Sequence, residues 1–332
     1  MSWLITGGAG YIGAHVAQAF ADAGLECVAL DSLVSGEPGF VPDGVPLVHA
    51  DVTSERDVVD ALEAYRVTGV VHLAAFKYAG VSVQRPVHTF QQNLGGTATL
   101  LAAMQQVGVQ RLVFSSTAAV YGTPEVEVVT ESTPTNPQSP YGESKLAAEW
   151  LIRDQAVATG LRQTSLRYFN VVGSGSDRIR DTSPHNLFPL VFRALEEGRS
   201  PRIFGDDYPT PDGTAVRDYV HVADLALAHV EAAKRLEGAD GLRADELLPV
   251  YNLGSGDGSS VRQIMDAVRR VTGVPFEPDV APRRPGDPAR IVSSGEAAAR
   301  DLGWAMRHSL DDMVASAWSA WSAWSAGSAG SV

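Results

Sequence analysis

Ile5-Thr6-Gly7-Gly8-Ala9-Gly10-Tyr11-Ile12-Gly13 is the stretch on which the fold of this chain turns. A short apolar strand, Trp3-Leu4-Ile5, runs straight into a glycine-rich turn, and an apolar, alanine-rich helix follows from Tyr11 to about Ala23. The turn fits two dinucleotide fingerprints at once, Gly8-x-Gly10-x-x-Gly13 and Gly7-x-x-Gly10-x-x-Gly13. Glycine serves the tight turn, the approach of backbone to a pyrophosphate, and the close packing of helix on sheet. The helix N-terminus adds free N–H groups and the positive end of a dipole. A bare glycine triplet is a weak signal, and its context strengthens it. A second strand, Cys27-Val28-Ala29-Leu30, ends in Asp31, placed to hydrogen-bond an adenosine ribose 2′-OH. No Lys or Arg follows before Arg56, so a 2′-phosphate would meet Asp31 without a nearby countercharge. NAD is favoured over NADP.

With 332 residues the chain can bury a full core in one large domain or two closely joined ones. A hydrophobic fraction of 45% and a charged fraction of 20% describe an ordinary globular protein. The net charge of −13, with no Lys/Arg block, argues against nucleic acid as a partner. An anionic substrate would need a few well-placed arginines. The single Cys27 lies in a strand, forms no disulfide within the chain, and reads as a small buried hydrophobe. The first strand starts at residue 3, and no apolar run approaches the ~20 residues that span a bilayer. No membrane association and a cytoplasmic location are expected.

The first half alternates strands and helices. Further strands are expected at Pro46 to Ala50, Val70 to Leu73, Leu112 to Phe114 and Thr164 to Tyr168, with helices at Asp57 to Arg66, Thr89 to Val107 and Tyr141 to Ala158. Short continuous apolar strands separated by helices predict an α/β fold: a doubly wound, Rossmann-like parallel sheet covered on both faces. Ligands bind outside the carboxyl ends of such strands, which puts Thr6, Asp31, Asp51, Ala74 and Ser115 along one rim. After Tyr168 the alternation breaks down. Residues 170–216 are rich in Gly, Pro, Asp and Asn around a helix at Leu187 to Glu197, and a helix from Val222 to Glu237 follows. The expected division is an NAD-binding domain at 1–169 with a return segment near 215–240. A smaller C-terminal α/β substrate-binding domain takes 170–214 and 248–332, and 238–247 reads as a solvated loop. The tail repeats Ser-Ala-Trp from Ser316 to Trp324 before decaying into Gly, Ser and Ala. Its tryptophans recur every three residues, so a helix would gather them on one face, as a docked and then fraying terminal helix or as an interface.

Tyr141-Gly142-Glu143-Ser144-Lys145 sets Tyr and Lys at i and i+4, on one helix face. Pro140 suits the first turn and Ser139 can cap it. An ammonium beside a phenol favours the phenolate, so the pKa of Tyr141 is expected to fall from its usual value. Such a tyrosine takes a proton from a sugar hydroxyl while hydride leaves the same carbon. Phe114-Ser115-Ser116-Thr117 brings hydroxyls to the same rim, where one can bond the reacting oxygen. The eight histidines and one Cys show no metal-ligand spacing, and no metal is expected.

On these residues the chain resembles the extended short-chain dehydrogenase/reductase family and, within it, the UDP-glucose (UDP-galactose) 4-epimerases. The similarity runs from Ile5 to about Trp304. It takes in the glycine turn, Ser82-Val83-Gln84-Arg85-Pro86, Pro137 to Gly142, and Leu166-Arg167-Tyr168-Phe169-Asn170. It continues through Ile203 to Thr210, Asp212-Gly213-Thr214, Val216 to Val222, Tyr251 to Gly254, and Ala281 to Asp287. The resemblance implies that Tyr141 is the base and acid, Lys145 its electrostatic partner and a ribose ligand, and Thr117 the hydroxyl on the sugar O4. It implies cofactor contacts from Gly7, Gly10, Tyr11, Ile12, Gly13, Leu73, Ala74, Ala75, Lys77, Asn93, Ser115, Tyr141, Lys145 and Tyr168, with Asp31 at the ribose and Asp51 and Val52 at the adenine. It implies that Lys77, Thr117, Tyr141, Phe169, Asn170, Asn186, Leu187, Phe204, Arg217, Tyr219, Arg284 and Asp287 hold the UDP-sugar. It also implies a homodimer through helices near 89–107 and 141–158. Each residue has a plainer alternative. On that plainer reading Lys77 is solvated, Asn93 satisfies buried backbone, and Arg217 with Asp218 forms a structural ion pair, while His221 reads as structural rather than as a base.

The implied reaction is reversible inversion at C4 of a UDP-hexose through a transient 4-keto sugar, with NAD firmly bound. Alternatives are epimerisation of UDP-GlcNAc/UDP-GalNAc or a UDP-pentose, since Ile291 at the sugar-ring position is intermediate in size. More remote are a nucleotide-sugar 4,6-dehydratase, whose Asp-Glu pair is replaced here by Ala118-Ala119, and a non-catalytic NAD-sensing protein, which would not need Tyr141, Lys145 and Thr117.

Overall fold

The computed structural model describes residues 1–238, 250–284 and 287–329, with side chains to 325. Residues 239–249, which hold all but the first residue of the loop expected at 238–247, lie outside the described residues, as do Pro285, Gly286 and the last residues of the tail. Seven strands form one parallel sheet in the order β11-β6-β5-β4-β1-β2-β3. They are β1 (Ser2–Thr6), β2 (Glu26–Asp31), β3 (Leu47–His49), β4 (Val67–His72), β5 (Arg111–Ser115), β6 (Arg162–Tyr168) and β11 (Val250–Leu253). Alternation along β1 makes the two faces of the sheet. Leu4 joins Val28, Leu30, Val70, Leu112 and Phe114 under α2 (Glu55–Ala64) and α5 (Gly96–Val107). Trp3 and Ile5 join Val71, Val113 and Leu166 under α1 (Tyr11–Asp22) and α8 (Val222–Glu237). All of these residues are buried, which is why the strands read as continuous apolar runs.

The strand order reverses between β1 and β4, so a crevice opens at their carboxyl ends, where the glycine turn sits. Gly7 is left-handed at φ +71, and a Cβ on Gly13 would lie 2.0 Å from the Gly7 carbonyl. Only hydrogen at both positions lets α1 start this close to β1.

Two expectations need correction. The single helix at 89–107 is broken into α4 (Pro86–Phe90), a π-helical turn at Gln91–Gly95, and α5. The π turn carries Asn93, whose amide bonds elsewhere than along the helix. Val250–Leu253, expected with the substrate-binding part, instead pairs with β6 and completes the large sheet. A strand with three buried residues beside a parallel partner is stabilised by that ladder more than by any edge of the smaller part.

The smaller part is built from short pairings. β7 (Asn170–Val172) pairs with β10 (Tyr219–His221), and β8 (Arg202–Phe204) with β13 (Asp279–Ala281). β9 (Val216–Arg217) lies between β12 (Ser259–Ser260) and β14 (Arg290–Ile291). A third core joins α7 (Leu187–Glu196), α9 (Val261–Thr272) and the terminal helix α11 (Leu310–Ala329) through Phe188, Phe192, Ile264, Val268, Met313 and Trp321. The tail therefore docks as a helix, with Trp318 edge-on to Phe192 at 5.1 Å.

A buried ion pair ties α6 (Pro140–Thr159) to β6. Arg167 donates to Glu149 at 2.9 and 2.5 Å and to the Tyr121 hydroxyl at 2.8 Å. Glu149 also accepts from Ser116. Glu149→Ala should lower the unfolding free energy by roughly 3–5 kcal/mol, because it leaves a buried guanidinium unpaired. The double change Glu149→Leu with Arg167→Met should recover most of that in urea denaturation at pH 7.

Candidate active site

Helix α6 is aimed by its first turn. Ser139 accepts from Gly142 N at 3.3 Å, Pro140 occupies the first helical position, and Ser82 accepts from Tyr141 N at 3.1 Å. The last contact lets Ser82, at the end of a separate helical turn (Ala79–Ser82), cap the first turn of α6. A Cβ on Gly142 would lie 2.7 Å from the Ala119 carbonyl, so glycine lets α6 rest on the turn that follows Thr117. Thr117 caps that turn, accepting from Ala119 N at 3.2 Å, and its hydroxyl hydrogen-bonds the Tyr141 phenol. Both side chains line a cleft of about 620 Å³, within the ordinary range for ligand sites.

One turn along, Lys145 lies buried with its Nζ donating to the Ser115 carbonyl at 2.9 Å and sitting 4.7 Å from the Phe114 ring. Burial brings Lys145 down to about 7, with Glu149 opposing. Burial also pushes the Tyr141 phenol above its ordinary value, and only the Thr117 hydrogen bond pulls it back. The expected lowering of Tyr141 is therefore corrected. Desolvation of a phenolate in this wall outweighs the neighbouring amine, which is itself desolvated and committed to a backbone carbonyl. The Ser115 hydroxyl faces inward to His229 Nε2 at 2.7 Å, and His229 donates from Nδ1 to the Leu225 carbonyl at 2.9 Å. Ser115 thus shapes the site by holding Lys145.

The residues expected at the substrate converge on the same cleft: Lys77, Phe169, Asn170, Asn186, Leu187, Phe204, Arg217, Tyr219, Arg284 and Asp287 all line it, with Tyr11, Ile12, Tyr168 and Ile291. Register explains their meeting. β7 against β10 sets Asn170 opposite Tyr219, and β14 against β9 sets Ile291 opposite Arg217. Arg217 lies 3.3 Å from Asp287, and the Arg284 guanidinium sits 3.9 Å from the centre of the Phe204 ring. Asp218, considered as the partner of Arg217, is instead buried, accepting from Ser255 N, Ser255 Oγ and Ser293 N. His221 is structural: Nδ1 caps α8 by accepting from Ala223 N at 3.0 Å, and burial pushes the ring down to about 4.

Gly7, Gly10, Gly13, Asp31, Asp51, Val52, Leu73, Ala74, Ala75 and Asn93 lie off the lining of this cleft, toward the other strand ends. They fit a dinucleotide. The α1 N-terminus has no side-chain cap, and a Cβ on Gly10 would meet only the Gly7 carbonyl. Asp31 is locked at the β2 end by accepting from Ala9 N at 3.0 Å and Leu33 N at 2.8 Å. Asp51 is turned toward its own loop, accepting from Thr53 N and Oγ1, and Val52 is in the core. Asn93 accepts from Phe76 N and donates to Phe76 O and Ser144 Oγ, so it braces the Lys77 loop against α6.

The sequence reading missed Tyr78, Arg180, Asp181, His185, Trp321 and their neighbours in the lining. Only the Ser-Ala-Trp period marked any of them; Tyr78 sits in the loop after β4 and Arg180, Asp181 and His185 in the loop between β7 and α7, neither with periodicity.

The NAD dependent epimerase/dehydratase family model matches residues 3–254. The UDP-glucose 4-epimerase of Streptomyces lividans is 45% identical over 95% of this chain and 94% of its own. That of Corynebacterium glutamicum is 44% identical over 96% of this chain and 95% of its own. Among solved structures, a Stenotrophomonas maltophila UDP-glucose-4-epimerase with bound NAD and formylated UDP-arabinopyranose superposes with a TM-score of 0.93 at 37% identity, covering 98% of this chain and 99% of that one. A Bifidobacterium longum UDP-glucose 4-epimerase in complex with NAD+ and UDP gives 0.86 at 35% identity, covering 97% and 98%.

Thr117→Val should move the acidic limb of the kcat profile to higher pH. The lost hydrogen bond favours the phenolate, so its removal raises the Tyr141 pKa further. A charged hydrogen bond of about 1.5–3 kcal/mol corresponds to a roughly ten- to hundredfold fall in kcat at pH 7. A profile that keeps its limb would place the base elsewhere.

Proposed function

The chain belongs to the NAD dependent epimerase/dehydratase family, and from that premise we propose that it interconverts UDP-glucose and UDP-galactose by inversion at C4, as an NAD-dependent isomerase. The observation that carries this reading is the placement of Tyr141 and Thr117 in one cleft with Arg217 and Arg284. A proton-transfer pair thus shares one cleft with two guanidinium groups suited to a diphosphate.

NAD would be held by the glycine turn at the uncapped α1 N-terminus and by Asp31, and would supply the hydride acceptor and donor for C4. The chain's residues do the rest. Thr117 orients O4 and supports the phenolate, and Tyr141 removes the 4-OH proton and later restores it. Lys145 stays within one helical turn and supplies positive charge in the fraction that is protonated near pH 7. Arg217 and Arg284 suit the diphosphate, since a planar guanidinium can bond two oxygens at once. Phe204 stacks on Arg284 and Asp287 restrains Arg217, so both forks are pre-aimed. Anchored at UDP, the flat 4-keto sugar can turn over and present its other face. Ala118 and Ala119 after Thr117 supply no acid/base pair for water elimination, which favours epimerisation over dehydration.

We infer a homodimer through the outer faces of α5 and α6, supported by Trp150 at 50% exposed and Val157 at 84% on α6. Light scattering should give twice the chain mass, and Trp150→Arg should halve it.

The function is tested by incubating the full chain with UDP-glucose, UDP-GlcNAc and UDP-xylose separately and following each 4-epimer. UDP-galactose should form fastest from its partner, and Tyr141→Phe should cut turnover by on the order of 10²–10⁴. Arg217→Ala and Arg284→Ala should each weaken UDP binding by about ten- to hundredfold in calorimetry while NAD content holds. UDP affinity within twofold of wild type in both would remove the anchor assignment.

A further inference from the structure

The Ser-Ala-Trp repeat is a sequence motif that the reaction above does not use. In the structure its residues grip the segment leading from β7 to α7. Ser316 Oγ accepts from Ser174 N at 3.1 Å, and Ser319 donates to Asp177 at 2.8 Å. The Arg180 guanidinium lies 3.5 Å from the Trp324 ring centre and 5.4 Å from that of Trp321. Arg180 and Trp321 both line the cleft with Tyr11 and Ile12. Trp321 is 5% exposed, and its Nε1 and Arg180 Nε have no hydrogen-bond partner among the described residues. Two buried N–H donors, one of them cationic, thus stand at the cleft without an acceptor.

The other side of this segment is bound to the cofactor half. Tyr11 donates its hydroxyl to the Gly173 carbonyl at 2.6 Å, and Gly175 N donates to His15 Nε2 at 2.9 Å. Ile179 packs with Tyr11 and Ala14, in the first turns of α1. Arg178 reaches Asp43 at 3.2 Å and the Gly39 carbonyl at 3.3 Å. The segment that carries Arg180 is therefore tied to α1, with its guanidinium against Trp321 and Trp324, whereas Arg217 lies on β9 and Arg284 just beyond β13. The charges that act on Arg180 are Glu196 and Arg193 of α7, Glu37 and Asp181, and Glu37 N donates to the carbonyl of Ala9 within the glycine turn. An anion at this end needs a cation set among those carboxylates.

We propose that Arg180 is a further cofactor-binding residue, carried by Trp321 and Trp324 of the C-terminal helix to the diphosphate of NAD at the α1 N-terminus. This rests on the NAD reading above. The tryptophans are positioning residues: their faces hold a planar cation by cation–π attraction while its edge stays available to phosphate oxygens.

The test is release of nicotinamide from the purified full chain after dilution, alongside UDP affinity by calorimetry and thermal unfolding. Arg180→Met should speed release by roughly ten- to hundredfold and leave UDP affinity within twofold. Raising salt should accelerate release from wild type more than from Arg180→Met, a difference that a purely structural role would not produce. Trp324→Ala should show a smaller effect of the same kind, and Trp324→Phe should restore most of it. Should Arg180→Met unfold, Arg180→Lys, which keeps the charge, serves in its place and should release NAD faster with the same salt response as wild type. Wild type that retains NAD, with Arg180→Met releasing it at the same rate, overturns this proposal alone. A loss of UDP affinity with NAD retention unchanged overturns it too, moving Arg180 to the substrate. Wild type that carries no nicotinamide overturns the NAD reading beneath it.

Discussion

The approach of Gly13 to the Gly7 carbonyl is the constraint from which the rest of the architecture follows. With no room for a Cβ at that contact, α1 begins directly over the carboxyl end of β1, at the crevice where the strand order reverses. The uncapped α1 N-terminus then faces the crevice, and the strand ends bring Asp31, Ala74 and Ser115 to the same side. A side chain at Gly13 would displace the helix from the sheet and separate these groups. The same helix also receives the Gly173 to Ile179 segment through Tyr11 and His15, so the cofactor half and the smaller part meet on one element.

A second close approach aims the chemistry. Gly142 lets α6 rest on the Ala119 carbonyl, which brings Tyr141 against Thr117 while Ser82 and Ser139 cap the helix. Lys145 is then held by the Ser115 carbonyl, and Ser115 by His229. The arrangement has an electrostatic consequence. Burying a phenol and an amine together raises one and lowers the other, so both move toward the uncharged form, and Thr117 is the group on the chain that opposes this for Tyr141. A developing phenolate therefore depends on charge assembled around it during turnover.

The substrate end follows a different principle. Phe204 and Arg217 lie on short strands, Arg284 and Asp287 lie between β13 and β14, and the two-residue and three-residue pairings of β13 with β8 and β14 with β9 bring them together. Asp218 secures that assembly from within, accepting from Ser255 and Ser293 while its own backbone carbonyl takes the Asn170 side chain. Buried carboxylates of this kind are costly unless every lone pair is used, and here the cost is offset by joining three separate segments.

The sequence by itself determined the doubly wound sheet, the cofactor crevice and the pairing of Tyr141 with Lys145, because each depends on local periodicity or on spacing within one turn or helix. Trp3 to Gly13 states a strand, a turn and a helix outright, and Ser139-Pro140 states where α6 begins. Tertiary structure alone decided that Val250–Leu253 completes the large sheet, that Asn93 sits in a π turn bracing Phe76, and that Asp218 is structural while Arg217 turns to Asp287. It also decided that burial dominates the Tyr141 phenol, and that the tail tryptophans reach Arg180 across 141 and 144 residues of chain. The physical reason is shared: desolvation and long-range hydrogen bonding depend on what surrounds a group in space, and no local pattern encodes those neighbours.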